Sequence, residues 1–281
     1  MQNSVIFGPA LDAIKINKNC GTSKRFFVNK CLVIIPTYNE KENVEVIIKA
    51  IFDLPIAFDI LIVDDNSPDG TASIVKNLQE VTKLTSRKER RLHLLERTEK
   101  SGLGTAYIEG FHFALDQGYD FICEMDADFS HNPNDLVPLY QTCAEEGYDL
   151  AIGSRYVKGV NVVNWPMGRV LMSYFASKYV RLITGLPIDD ATAGFKCYRS
   201  RVLNTIKLDK IKFIGYAFQI EMKFLTWKYG FKIKEIPIIF TDRTKGTSKM
   251  SSKIFNEAVF GVISMKFKSL FRRYPPPPVT S

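Results

Sequence analysis

Long apolar runs are missing from this sequence. Nowhere in the 281 residues is there an uninterrupted stretch of the roughly 18–20 apolar residues that a membrane-spanning helix needs. The longest candidate, around Ala258 to Met265, contains Gly261 and Ser264 and stops at Lys266. The N-terminus lacks the basic start, apolar stretch and small-residue cleavage site of a secretory signal. The expectation is therefore a protein that stays in the compartment where it is made. Cysteine is sparse as well. Cys20, Cys31, Cys123, Cys143 and Cys197 are scattered and show no CxxC spacing, which speaks against a disulfide framework or a zinc site and for a reducing setting. His93, His112 and His131 do not cluster. Neither GxGxxG nor GxxxxGK[ST] occurs, which disfavours a Rossmann dehydrogenase and a P-loop ATPase. No internal repeat is apparent, and 46% hydrophobic with 24% charged residues is ordinary for a globular chain.

What is present begins with charge. A formal net charge of +8 favours negatively charged partners, which are phosphates, nucleic acid or anionic lipid. From about residue 31 apolar β-type runs alternate with amphipathic stretches. Candidate strands are CLVIIP at 31–36, DILIVDD at 59–65, RLHLLER at 91–97, DFICEMDAD at 120–128 and DLAIGSR at 149–155. Helical patterns lie at about 40–53, 71–84, 103–118 and 133–147. This alternation predicts a mainly parallel sheet covered by helices on both faces. Further on, a helix is expected over 168–184 and another over about 216–230, with the short run FKCYR between them. The strand KIKEIPIIF then leads into the polar loop TDRTKGTSK. The chain divides into an extension at 1–29, a catalytic domain at 30–250 and a basic amphipathic helix with a Pro-rich tail at 251–281.

In open α/β sheets ligands bind beyond the carboxyl ends of strands. Pro36, Asp64, Asp65, Asp126, Asp128 and Arg155 fall at those ends. Asp126-Ala-Asp128 can hold a hard divalent cation between protein and diphosphate oxygens, with Ser130 as a further oxygen ligand. Oxygen donors suit Mg²⁺ or Mn²⁺ better than zinc. Taken alone, the triplet reads more readily as a solvated turn before Asn132-Pro133, and its position at a sheet edge, where a buried Asp126 needs a cation or donor, favours the metal. Asp64-Asp65-Asn66-Ser67-Pro68-Asp69-Gly70-Thr71 is explained structurally as a turn with a helix cap, and functionally as carboxylates for a base or ribose. Arg169 and Ser173 share a helix face, and an arginine there suits a phosphate.

These motifs resemble a known family. VIIPTYNE, DDNSPDGT, GLGTAYIEGF, EMDADFSHNP, GSRY, NWPMGRVLMS, GYAFQIEM and DRTKGTSKMS stand in the order found in polyprenol-phosphate mannosyltransferases, the dolichol-phosphate mannose synthases and their bacterial relatives. The match covers about residues 31–258. The resemblance implies a GT-A fold and an inverting enzyme of glycosyltransferase family 2, using GDP-mannose as donor and a polyprenyl or dolichyl phosphate as acceptor. It implies that Pro36, Tyr38, Glu40, Val63 and Asp65 contact the nucleoside. Asp126, Ala127 and Asp128 would meet the sugar diphosphate, with Asp128 and Ser130 at the metal. Arg155, Arg243 and Lys249 would neutralise phosphate, the last two from a loop that closes over the donor. Arg169 and Ser173 would hold the acceptor phosphate. Where the family often carries TGG or TSG, this chain has Ala191-Thr192-Ala193-Gly194.

A phosphate monoester has a second pKa of about 6, so near neutrality it attacks without a general base. The implied chemistry is a single displacement governed by positioning and charge. A lipid-linked acceptor without a spanning helix implies peripheral attachment on the cytosolic face of a membrane, the ER in a eukaryote or the inner membrane in a bacterium. Whether a separate membrane subunit takes part stays open. Ile254, Phe255, Val259, Phe260, Val262, Ile263, Phe267, Leu270 and Phe271 lie among Lys253, Lys266, Lys268, Arg272 and Arg273. Such a helix either lies in a bilayer interface or packs on the core. The near alternative is a polyprenyl-phosphate glucosyltransferase using a UDP-sugar. A nucleic-acid-binding module is disfavoured because no RNA-binding aromatic motif is present, and a nucleotidyltransferase because no glycine-rich basic loop follows the first strand.

Overall fold

The structure is a computed structural model and describes residues 29–84, 90–215, 217–242 and 252–276. Along the chain come β1 (Cys31–Thr37), α1 (Val44–Phe52), β2 (Phe58–Asp64), α2 (Thr71–Leu84), β3 (Leu92–Glu96), α3 (Leu103–Asp116) and β4 (Phe121–Glu124). Next are α4 (Leu136–Ala144), β5 (Leu150–Ser154), β6 (Val162–Val163), α5 (Met167–Thr184), β7 (Lys196–Arg199) and α6 (Ser200–Thr205). The last elements are α7 (Ala217–Lys228), β8 (Ile233–Pro237), β9 (Phe240–Thr241) and α8 (Ser252–Leu270).

Seven strands form one sheet in the order β3-β2-β1-β4-β7-β5-β8. All neighbours are parallel except β7, which runs antiparallel to both β4 and β5. Alternation along β1 sorts the core into two layers, as a period of two requires. Leu32 and Ile34 join a cluster with α3, α6 and α7. Cys31, Val33 and Ile35 face the other way, toward α1 and α4. Gly110 lets α3 approach β1 closely: a Cβ there would lie 2.7 Å from Ile34 Cγ2.

The strand order places the site. The chain moves outward from β1 to β2 and β3, then returns to put β4 on the other side of β1. The order therefore reverses between β1 and β4, and the crevice beyond their carboxyl ends is where this architecture binds ligands.

The structure also differs from the sequence expectation in places. The run 120–128 stops pairing at Glu124, because its partner Lys196 is the first residue of β7; the two aspartates that follow are thus released from the sheet. The helix expected from 133 opens as a 3-10 turn at Pro133–Asp135, capped by the Asn132 side chain. KIKEIPIIF breaks at Pro237, and Phe240–Thr241 pairs with β6 in a separate ribbon. Helix α8 packs on both α5 and α7. Cys31, Cys123, Cys143 and Cys197 are buried free thiols.

Candidate active site

The ends of β1 and β2 are braced by their own side chains. Thr37 Oγ1 donates to Asp64 Oδ1 at 2.8 Å, and Ser67 N donates to Asp64 Oδ2 at 2.8 Å. Asp69 accepts from the backbone of Thr71 at 3.0 Å and of Lys41 at 3.1 Å. Asp64 and Asp69 are thereby committed to the turn. Asp65 differs: its Oδ1 accepts from Arg97 Nη1 at 2.7 Å, and both side chains are almost wholly covered. Burial raises the Asp65 carboxyl above its ordinary pKa, and Arg97 opposes the rise. Val63 is buried beneath, and Pro36 lies in β1 beside it in register. Glu40 N donates to Thr71 Oγ1 at 3.1 Å, while the Glu40 carboxylate accepts from Asn43 Nδ2. The Tyr38 ring carries the Lys100 ammonium 4.1 Å from its centroid.

Two residues past β4, Asp126 keeps 41% of its side chain exposed, whereas Ala127, Asp128 and Ser130 are buried. Phe129 takes a left-handed φ of 58°, which turns the chain sharply. The Asp128 carboxylate then accepts from Ser130 N at 3.1 Å. Ser130 Oγ is buried with no hydrogen-bond partner among the described residues. His131 stacks on Phe195 at 4.8 Å. Burial lowers its pKa to about 4, so it is neutral near pH 7 and Nδ1 can accept from Asp126 N at 3.4 Å.

No set of three or more His, Cys, Asp or Glu among the described residues could hold a metal by itself. The donors nonetheless fit a hard cation shared with a ligand. Asp126 and Asp128 supply carboxylates, and the orphaned Ser130 hydroxyl is a buried oxygen that needs a partner.

Arg155, directly after β5, forms a forked pair with Asp190, with Nε–Oδ2 and Nη2–Oδ1 both at 2.7 Å. Its Nη2 also donates to Thr192 Oγ1 at 2.8 Å. Arg169 on α5 bonds Asp242 at 2.9 Å and lies 4.2 Å from the Trp165 ring centroid. The Arg155 guanidinium is 5.5 Å from the same ring. One cavity of about 480 Å³ is lined by Asp126, Arg155, Arg169 and Ser173 together with Trp165 and Thr192. It continues between α5 and α8 along Met172, Phe175, Ala176, Tyr179, Val259 and Val262.

The structure thus gathers Asp126, Arg155, Arg169 and Ser173 around one space, while Pro36, Tyr38, Glu40, Val63 and Asp65 stand at adjacent strand ends. Arg243 and Lys249 lie outside the described residues, as does the extension through residue 28. Sequence reading singled out neither Arg97 nor Asp190, noted Thr192 only within Ala191-Thr192-Ala193-Gly194, and gave Trp165 no role at the site. Trp165 Nε1 is buried without a hydrogen-bond partner among the described residues, and the ring lies beside both arginines. An acidic residue in the loop before FKCYR was the available signal for Asp190. Its partner Arg155 is 35 positions away, so only the fold could pair them.

An open sheet with this switch point, carboxylates beyond β4 and two arginines lining one cavity has the architecture of a GT-A-type glycosyltransferase. The chain belongs to glycosyl transferase family 2, whose pattern matches residues 32–207. It is 44% identical over 233 residues to the polyprenol monophosphomannose synthase of Mycolicibacterium smegmatis, a match covering 83% of this chain and 85% of the relative. It is also 44% identical over 233 residues to the undecaprenyl-phosphate mannosyltransferase of Micrococcus luteus, covering 83% of this chain and 92% of that protein. In fold it is similar to a mannosyltransferase from Pyrobaculum calidifontis solved with GDP-Man and Mn²⁺, at a TM-score of 0.54 and 18% identity. That likeness covers 89% of this chain and 66% of the other. No helix among the described residues is long and apolar enough to cross a membrane.

Proposed function

We propose that this glycosyltransferase moves mannose from GDP-mannose to a polyprenyl phosphate of the dolichyl type. The products would be GDP and a β-linked polyprenyl phosphate mannose, formed by one inverting displacement. What supports this reading above all is the shape of the cavity. It is ionic at one end, with Asp126, Arg155 and Arg169, and apolar at the other, between α5 and α8. A phosphate carrying a long hydrocarbon has those two halves. Both relatives at 44% identity are named for mannose transfer to such lipids.

In this reading Pro36, Tyr38, Glu40, Val63 and Asp65 receive the nucleoside, and the Asp126–Asp128 segment faces the diphosphate. Asp126, Asp128 and Ser130 would hold Mg²⁺ or Mn²⁺, which when bound neutralises charge on the leaving diphosphate. Arg155, Arg169 and Ser173 orient the attacking phosphate. Its dianion needs no base near pH 7, because its second pKa is about 6, so the arginines contribute by placing one oxygen in line and screening its charge. The enzyme works as a peripheral protein at a cytosolic membrane surface.

The test is transfer from a panel of labelled nucleotide-sugars to polyprenyl phosphate, with Mg²⁺, Mn²⁺ or chelator. Transfer from GDP-mannose that chelator abolishes is the expected result. Activity confined to a UDP-sugar would overturn the donor assignment, and retained activity in chelator would overturn the metal.

A further inference from the structure

Two lysine side chains, Lys196 on β7 and Lys223 on α7, are wholly buried below the cavity. Lys196 has a carboxylate to answer it, with Nζ 2.8 Å from Glu124 Oε2. Lys223 instead donates to two backbone carbonyls, Ala191 O at 2.9 Å and Ala193 O at 2.6 Å. Burial pushes its pKa well below that of an ordinary lysine, and Lys196 adds to the effect. Placing a lysine nitrogen there costs stability that Leu or Met would not, so packing alone does not account for it.

The segment it holds carries the partners of Arg155. The Asp189 and Asp190 backbone amides donate to the Glu235 carboxylate at 2.7 and 2.9 Å, which fixes one end of the loop. The Asp190 carboxylate accepts from the Arg155 backbone N–H at 3.0 Å and from the guanidinium fork. Thr192, between the two stapled carbonyls, receives Arg155 Nη2. Ala193 and Gly194 line the cavity. Thr192 Oγ1 also meets Asp190 Oδ1 at 3.3 Å and Ser177 Oγ at 3.4 Å, both longer than the two bonds by which Lys223 holds the backbone on either side of it.

We propose that Lys223 is a positioning residue for transfer: its two bonds hold Ala191 and Ala193 so that Asp190 and Thr192 aim the Arg155 guanidinium at the phosphate of the lipid acceptor. This rests on the reading above that Arg155 meets the acceptor. Lys223 itself lies behind the loop and acts only through it. Loss of the staple loosens Thr192 and lets Arg155 follow Asp190 alone, so binding of the acceptor weakens while the strand ends that receive the nucleoside are untouched.

The test is steady-state kinetics on the full-length enzyme, varying a short-chain polyprenyl phosphate at saturating donor and then the reverse. Lys223→Met keeps an unbranched apolar stem one atom shorter and removes the donor. It should raise the acceptor KM about tenfold or more while the donor KM moves less than about twofold. Lys223→Gln retains an amide donor for one carbonyl and should fall between. Thr192→Val should raise the acceptor KM too, and its effect should vanish in the Lys223→Met background, as expected for residues acting as one unit.

Equal rises in both KM values, additive effects with Thr192→Val, or an unchanged acceptor KM in folded Lys223→Met each overturn the assignment. Failure of both Lys223 variants to fold also overturns it, since the residue would then serve stability alone. Arg155→Lys separates the two layers. If it leaves the acceptor KM unchanged, the role of Arg155 fails. If it raises that KM and Lys223→Met does not, only the role of Lys223 fails.

Discussion

Arg155 and Asp190 meet as a buried fork, with two bonds of 2.7 Å from one guanidinium to one carboxylate. The Asp190 side chain is completely covered and that of Arg155 is 10% exposed. A pair like this commits the charge of Arg155 before any ligand arrives, so it fixes direction more than it adds stability. Replacing one partner strands the other. Asp190→Asn should cost about 3–5 kcal/mol, the range for breaking a buried pair from one side, read by denaturant unfolding.

The pH dependence of that loss has a definite sign. Burial alone would raise the Asp190 carboxyl, but Arg155 overrides it and the pKa lies below the ordinary value. A carboxylate lowered in the fold stabilises above its unfolded pKa of about 3.9 and loses that contribution as pH falls through the folded value. The stability gap between wild type and Asp190→Asn should therefore stay constant through neutral pH and close only in strong acid. A gap that closes near pH 6 would mean the pair is not what stabilises.

Asp128 is the buried member of the two carboxylates after β4. Asp128→Ala should abolish metal-dependent transfer, and Asp128→Asn should lower kcat by about 10²–10³, the scale of losing a charge aimed at a transition state. The Asn amide oxygen can still accept from Ser130 N, as the carboxylate does at 3.1 Å, so Asp128→Asn should keep the fold. Full turnover by either variant would remove Asp128 from the site.

Much of this architecture was legible in the sequence because strands and helices announce themselves by period. β1, β2, β3 and β5 fall within a residue or so of their expected bounds, and the acids at their ends lie where ligands bind. The balance inside DDNSPDGT was not legible. The turn reading holds for Asp64 and Asp69, which the turn uses, whereas Asp65 is turned to Arg97. A linear pattern cannot divide such a cluster, because which carboxylate is consumed depends on neighbours 27 to 32 residues away. The direction of β7 was hidden for a similar reason. FKCYR shows an apolar strand but carries nothing that says which way it runs, and pairing with β4 and β5 decides that.

The close approach of α3 to β1 lies beneath the strand end proposed to receive the nucleoside. Gly110→Ala puts a methyl 2.7 Å from Ile34 Cγ2, and Ile34 lies two residues before Pro36 in β1. Overpacking of this kind costs about 1–3 kcal/mol, against which alanine recovers up to about 1 kcal/mol of helix propensity. A net loss in thermal stability and a raised donor KM are expected. A stabilised variant would show that the two elements can separate freely.

Helix α8 packs on the core along one face and leaves large apolar side chains exposed on the other. Val262 is buried in the core, and Val259 O accepts from Tyr179 OH at 3.0 Å, so one face packs on α5. The opposite face presents Phe260 at 73% and Phe267 at 63% exposure, and Phe271, just past the helix, is 79% exposed. Helix α5 adds Met167, Leu171 and Phe175, all exposed. Large apolar side chains gathered in this way mark an interaction surface. Near them the exposed Lys268 and Arg273 supply the charge that an anionic bilayer attracts. Deleting the helix would uncover the core and mislead, so the decisive change is on its outer face. Phe260→Ser with Phe267→Ser removes side chains whose burial is worth about 1.5–3 kcal/mol each. Flotation with anionic vesicles should fall by more than about tenfold on that scale, with the melting temperature unchanged because neither ring is in the core. Binding that survives the double substitution would detach α8 from the membrane and leave the acceptor to be delivered by another surface.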